Sequence, residues 1–265
     1  MITPHWIENG QGDHGLVFLH GVSGGADGAL DLLPRLALPG WRALAWDMPG
    51  YGASEPFEAG TSEGMGAYAD ALVELLDAAG LERAVLVGHS MGGMVALQTA
   101  AQHPGRVAGL VLACCTPAFG ASAGPLQQAF LAERLGPLDE GAGMRELAID
   151  LIPGMVGPGG DPELVHDAVG LMARVPPDSY RHALRAVVGF DQRAALARIP
   201  VPALAIAGTH DKVSAPLVVR RMAERLPAGV YREIDAGHLA PFEEPALFAA
   251  LVREFVAGLD HILVI

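Results

Sequence analysis

Short apolar runs alternate along the chain with longer stretches whose apolar residues recur at helical spacing. The runs are Leu16 to His20, Arg42 to Trp46, Ala84 to Gly88, Val107 to Cys114, Ala203 to Ala207 and Val230 to Asp235. Most are nearly continuous in Val, Leu and Ala rather than alternating, as suits strands buried on both faces. Between them, Met65 to Ala79 and Met91 to Gln102 carry the helical period. A final helix is predicted from Pro241 to Ala257, with Pro241 in the first turn, where a missing N–H is harmless. Such alternation predicts an α/β fold of β-α-β units, a mostly parallel central sheet with helices on both faces.

The alternation fails from about Thr116 to Arg198. Helical pieces there, Pro125 to Leu135, Met144 to Ile152, Pro162 to Arg174 and Tyr180 to Val188, are separated by Gly and Pro clusters such as Gly157-Pro158-Gly159-Gly160. The stretch reads as a helical insertion over one end of the sheet. It divides the chain into residues 1–115, the first part of the core, 116–198, a cap, and 199–265, the second part of the core. The last residues, Leu259 to Ile265, are more apolar than a free end should be and read as docking on the body or on a second copy of the chain, a homodimer.

Composition narrows the function classes. Asp and Glu outnumber Lys and Arg by 30 to 17, a net charge of -13 that argues against attraction to nucleic acid or an anionic membrane. The N-terminus has neither a basic start nor an apolar stretch of signal-peptide length, and no segment offers about 18 uninterrupted apolar residues, so a cytoplasmic protein acting on a small molecule is expected. Cys114 and Cys115 are neighbours whose disulfide would tie nothing together, and buried packing is expected for both. No Cys or His cluster has metal-ligand spacing, and neither a metal nor an organic cofactor is expected.

The strongest local signal is Gly88-His89-Ser90-Met91-Gly92, a G-x-S-x-G that follows the strand Ala84 to Gly88 and opens the helix at Met91. A sharp strand-to-helix turn forces strained dihedrals on its central residue, and the small neighbours Gly88, Gly92 and Gly93 let the chain pass without clashing. The turn leaves the Ser90 hydroxyl at a helix N-terminus, where peptide dipoles favour developing negative charge. The bland alternative is an N-cap in a tight turn.

A serine hydroxyl attacks only when a base takes its proton and a third group holds that base in one tautomer. Asp211 lies just beyond the strand Ala203 to Ala207, and His238 just beyond Val230 to Asp235. Parallel strands bring their C-terminal ends to one edge, so Ser90 as nucleophile, His238 as base and Asp211 as orienting acid can meet there. Asp235 is the rival acid, but it would have to fold back to reach His238. Of the 10 histidines, His89 should point away from Ser90, His103 suits a helix end and His210 adjoins the acid. An oxyanion needs N–H donors, for which the amide of Met91 and, from His20-Gly21-Val22-Ser23-Gly24-Gly25, the amide of Val22 are best placed, with the Ser23 hydroxyl as a further contributor. Asp47, in Asp47-Met48-Pro49-Gly50-Tyr51-Gly52, reads as a structural acid receiving backbone hydrogen bonds in a Pro/Gly turn.

With His20-Gly21, Asp47 to Gly52, Gly88 to Gly93, Asp211 and Gly237-His238 in that order, the chain resembles the α/β-hydrolase superfamily along nearly its whole length. Through Arg193 to Pro202 and the short cap it is similar to 3-oxoadipate enol-lactonases and small carboxylesterases, and meta-cleavage product hydrolases share the layout. The resemblance implies a helical cap inserted after the sixth strand and covering a substrate pocket. It also implies a cofactor-free serine hydrolase that cleaves a small carboxylic ester or lactone through an acyl-enzyme. Carbon-carbon hydrolysis by the same triad and a slow-hydrolysing ligand receptor stay open as alternatives. Candidates for the pocket wall are Ser23, Phe119, Phe130, Met144, Leu151, Met155, Met172, Tyr180 and Phe190. An anionic substrate would want an arginine, whose planar fork matches a carboxylate, and the cap offers Arg134, Arg145, Arg174, Arg181 and Arg185.

Overall fold

The computed structural model describes residues 3–58, 60–61, 64–119 and 124–259. Strands β1 (His5–Gly10), β2 (His14–Leu19), β3 (Trp41–Asp47), β4 (Ala84–His89), β5 (Val107–Ala113), β6 (Ala203–Gly208) and β7 (Gly229–Ile234) form one sheet in the order β1-β3-β2-β4-β5-β6-β7. Only β1, against β3, is antiparallel. The helices are α1 (Leu33–Leu36), α2 (Met65–Ala78), α3 (Met91–Gln102), α4 (Pro125–Asp139), α5 (Met144–Leu151), α6 (Pro162–Met172), α7 (Pro177–Val188), α8 (Pro216–Arg225), α9 (Ala240–Glu243) and α10 (Pro245–Ala257).

Because strand side chains alternate between faces, the central strands feed two cores. Val17, Leu19 and Leu86 join one core with α2, α3 and α8, while Leu16, Phe18, Val85 and Val87 join the other with α1 and α10. Each fully buried Leu or Val contributes about 1.5 to 3 kcal/mol. Both faces being covered explains why the runs read as continuously apolar. The edge strands depart from that pattern. In β7 only Ile234 is buried, and β1, half exposed, is an added element that the apolar-run reading passed over.

Among the described residues five strands precede the cap, so the insertion follows the fifth strand and not the sixth. The difference lies at the N-terminal edge, where β1 alone closes the sheet. The predicted last helix is broken into α9 and α10 because Pro245 pushes Glu244 out of the helical region, to φ -129° and ψ 59°. Helix α8 was not foreseen; it buries only Val219, Met222 and Ala223, a stripe too narrow to stand out. Of the apolar tail, Leu259 is buried, and Asp260 onward lies outside the described residues.

The chain leaves the sheet after Ala113 and re-enters it at Ala203. The two ends of the excursion are stitched together, with the Phe119 amide donating to the Phe190 carbonyl at 3.0 Å and the Gln192 amide to the Pro117 carbonyl at 2.8 Å. The buried residues of α4 to α7, Leu135, Met144, Met172 and Leu184 among them, belong to the same core as α2 and α3. The cap therefore shares its packing with the sheet instead of forming a core of its own.

Close packing at the C-terminal edge dictates glycine. A Cβ on Gly92 would lie 2.0 Å from the Leu19 carbonyl oxygen, whereas one on Gly170 in α6 would meet nothing within 4 Å. Gly92→Ala is expected to cost about 3 kcal/mol through overpacking against backbone, while Gly170→Ala stabilises by about 0.5 to 1 kcal/mol. Urea denaturation of the two variants checks this; equal midpoints would contradict the packing described.

Candidate active site

The β4–α3 turn carries Ser90 at φ 54° and ψ -118°, a conformation that L residues rarely hold and that costs about 1 to 3 kcal/mol. The surroundings enforce it. The Ser90 amide donates to the Ala113 carbonyl at 2.9 Å, and the Ser90 carbonyl accepts from Gly93 at 3.0 Å. A side chain on Gly88 would strike the backbone of Gly92 at 2.4 Å. Ser90 makes no N-cap hydrogen bond. Its Oγ instead lies 2.9 Å from His238 Nε2.

On the other side of that ring, Nδ1 lies 2.9 Å from Asp211 Oδ2. A carboxylate only accepts, so Nδ1 carries the proton and Nε2 is left to accept from the Ser90 hydroxyl. Asp211 Oδ1 is fixed in turn by the amides of Val213 at 2.7 Å and Ser214 at 2.9 Å. Burial acts to raise the Asp211 carboxyl pKa, but the hydrogen bond and charge of His238 and the two amides outweigh it and hold the group below its ordinary value. Asp235, the rival acid, turns outward to His210 at 2.8 Å. His103 sits at the end of α3, where it meets Asp70.

Two buried side chains, His20 and Tyr51, and the half-buried Glu243, none of them singled out for the site by the sequence, hold it in shape. His20 Nε2 accepts from the Met48 amide at 3.1 Å, so Nδ1 carries the proton and donates to the Gly21 carbonyl at 2.7 Å. Tyr51 donates to the Val22 carbonyl at 3.1 Å. Together they set the β2 loop bearing the Val22 amide, and Gly21 there lets the loop approach until a Cβ would lie 3.3 Å from that of Ser90. Glu243 accepts from the amides of Gly237, Leu239 and Gly157 at 2.8 to 3.1 Å, tying the His238 loop to the cap. The His238 amide also donates to the cap carbonyl of Met155 at 2.6 Å. Nothing in the sequence distinguishes Glu243 from Glu244. Asp47, read as structural, accepts from the amides of Ala26 at 2.7 Å and Ala53 at 3.2 Å.

A cavity of about 110 Å³ opens between core and cap, lined by Ser90, His238, Val22 and Met91 from the core and by Phe119, Phe130, Met155 and Tyr180 from the cap. The Met91 amide is the first of α3, where no preceding turn offers it a carbonyl, so it is open to an incoming oxygen. Ser23 is not in this wall. It lines a neighbouring, larger groove of about 530 Å³ with Asp27 and Arg174, because the β2 loop turns away after Val22. That groove touches neither Ser90 nor His238, so its size does not make it the reaction site. Met144, Met172 and Phe190 are buried in the shared core, with Leu151 packed against it. Of the cap arginines, Arg134 lines the cavity, Arg174 and Arg181 pair with Asp27 and Asp139, and Arg145 and Arg185 lie on the surface.

Cys114, Asp211 and His238 present potential ligand atoms within 4.8 Å of one another, the one such group among the described residues. Burial pushes the Cys114 thiol well above its ordinary value, and Asp211 and His238 are committed to each other, so this donor set suits a proton relay better than a cation. Both cysteines are buried and free.

Burial, and after it the neighbouring His238, pushes the His89 pKa down to about 3, and burial lowers that of His20 as well. Neutral His89 donates from Nε2 to the His238 carbonyl at 2.7 Å. An unfolded chain takes up these protons near pH 6.5, the ordinary histidine value, while the folded chain resists, so stability is full above that pH and is lost as pH falls toward 3. Asp211, held below 3.8, adds its own loss only at lower pH. The urea midpoint is therefore expected to fall between pH 6.5 and pH 4, and His89→Gln, which keeps an N–H donor but does not titrate, flattens that slope. An unchanged slope in the variant would contradict the assignment.

A family model described as alpha/beta hydrolase fold matches residues 16–245. A pimeloyl-[acyl-carrier protein] methyl ester esterase of Neisseria meningitidis is 31% identical over 245 residues, spanning 86% of this chain and 87% of that protein. The 3-oxoadipate enol-lactonase 1 of Acinetobacter baylyi is 27% identical over 221 residues, 83% of this chain and 80% of that one. The crystal structure of an enol-lactonase from Burkholderia xenovorans superposes with a TM-score of 0.85 over 96% of both chains, and at 23% identity it speaks for the fold alone. With a mostly parallel sheet, a strained serine turn and a matching family model spanning most of its length, the chain belongs to the α/β-hydrolase family and is a hydrolase.

Proposed function

We propose that this hydrolase cleaves a small carboxylic ester or lactone through an acyl-enzyme on Ser90. The observation that carries the reading is the relay itself: Ser90 Oγ to His238 Nε2 and His238 Nδ1 to Asp211 Oδ2, both at 2.9 Å, opening on the cavity between core and cap. The esterase and enol-lactonase names of the relatives accord with it.

In the first step Ser90 Oγ attacks the carbonyl carbon while its proton passes to His238 Nε2. The resulting imidazolium is stabilised by the Asp211 carboxylate, which stays ionised. Negative charge on the former carbonyl oxygen is met by the amides of Met91 and Val22, each such donor being worth about 3 to 4 kcal/mol of barrier. His238 then returns the proton to the departing oxygen as the carbon–oxygen bond breaks. Water then attacks the acyl carbon as the same nitrogen takes its proton, and that proton passes to Ser90 Oγ as the bond between Oγ and the acyl carbon breaks, freeing the acid. The strain at Ser90 holds the nucleophile in place before substrate arrives, so little reorganisation is needed in the transition state.

Purified protein is expected to turn over short-chain 4-nitrophenyl esters repeatedly. Ser90→Ala and His238→Ala each lower kcat by about 10⁴ or more, and the double variant loses no more than either alone, because the two act as one unit. Asp211→Asn lowers it by about 10⁴. Full activity in Ser90→Ala, or additive losses in the double variant, would refute the reading.

A further inference from the structure

One face of α7 builds part of the cap side of the cavity beside Ser90, with Tyr180, Leu184 and Val187 following one another at helical spacing. The cavity of about 110 Å³ holds roughly four water-sized groups, so the acyl part that enters it is short. Tyr180 is 2% exposed, and its amide donates to the Pro176 carbonyl at 3.0 Å in the first turn of the helix. The ring therefore stands on a rigid element.

The Tyr180 hydroxyl is an unspent polar group in that wall. Tyr51 donates to the Val22 carbonyl at 3.1 Å and Tyr231 to Glu233 at 2.7 Å, but among the described residues the Tyr180 hydroxyl meets no hydrogen-bond partner. The Tyr68 hydroxyl has none either and is sealed inside the core, whereas Tyr180 borders the open space in front of Ser90. The Thr116 hydroxyl, in the same wall, is spent on the Ala118 carbonyl at 3.0 Å.

Burial pushes the Tyr180 pKa up to about 12, so the group keeps its proton at neutral pH. The positive charge of Arg134 acts in the opposite direction and polarises the O–H toward donation. A guanidinium only donates, so Arg134 cannot accept that hydrogen bond. Burying a phenol without a partner costs free energy that phenylalanine, packing the same ring, would not. An acceptor arriving with the substrate removes the cost, and a single neutral O–H suits a single uncharged oxygen.

We propose that Tyr180 determines the acyl specificity of this site by donating a hydrogen bond to the substrate, and that the preferred ester or lactone carries an uncharged acceptor oxygen, an ether or a hydroxyl, within a short acyl part. The proposal rests on the hydrolase reading above, since it is attack by Ser90 that brings the acyl part into this cavity. A site that hydrogen-bonds a substrate oxygen rejects the analogue with a methylene in its place, because the analogue leaves the buried donor unpaired.

The test uses two pairs of esters of nearly equal shape, 4-nitrophenyl methoxyacetate with the butyrate and 4-nitrophenyl 3-methoxypropionate with the pentanoate, in the wild-type chain and in Tyr180→Phe. Comparing the two chains by the ratio of kcat/KM within a pair cancels the intrinsic reactivity of the esters. That ratio, ether over alkyl, is expected to fall about three- to tenfold in Tyr180→Phe for at least one pair, the range for one neutral hydrogen bond. The urea midpoint of the ligand-free variant is expected to stay level or rise, since no partner within the chain is lost. An unchanged ratio in both pairs would overturn this proposal while leaving the hydrolase reading intact. A lowered midpoint, the mark of a hydroxyl held by the chain itself, would do the same. Failure of the wild-type chain to cleave any of the four esters would overturn both.

Discussion

The backbone of Ser90 is the constraint on which the rest of the site depends. A residue at φ 54° and ψ -118° persists only where its neighbours leave no alternative. Here the last strand residues of β4, the first turn of α3, the carbonyl of Ala113 and the β2 loop supply that compulsion together. Gly88 and Gly92 are where the crowding shows most plainly, since a Cβ at either would collide with backbone that cannot yield. The parallel sheet does the remainder by ending β4, β6 and β7 at one edge, so that three loops remote in sequence arrive at the same place.

Around that edge, neutral buried groups hold charged and reacting ones in position. His20, His89 and Tyr51 are each spent on a backbone carbonyl, and Glu243 gathers amides from the His238 loop and from the cap at Gly157. The His238 amide reaches the cap at Met155. Hydrogen bonds at Met155 and Gly157 therefore tie the histidine loop to the cap, while Phe119 and Phe130 of the cavity wall pack against the core that cap and sheet share.

Much of the fold is legible from the apolar pattern because β2 to β6 are buried on both faces and so read as unbroken runs. β1, with its half-exposed side chains, and α8, with its narrow stripe, carry too little of that signal. The break at Glu244 was encoded in Pro245, but the apolar period runs across it and masks it. At the site, Ser90, Asp211 and His238 each follow a strand, so the edge that unites them can be inferred from order alone. Ser23 was misplaced because where a loop turns is decided by tertiary contacts, here those of Gly21 and Val22. Glu243 was missed for a similar reason: an acid acting on backbone amides looks in sequence like any other acid.

The most direct measurement of the proposed relay is covalent. Treatment with diisopropyl fluorophosphate, followed by mass spectrometry of intact chain and peptides, should add one phosphoryl group per chain, on the peptide holding Ser90. The rate should collapse in His238→Ala, where no base draws off the hydroxyl proton. Label on another residue, or labelling of Ser90 at an undiminished rate without His238, would contradict the account.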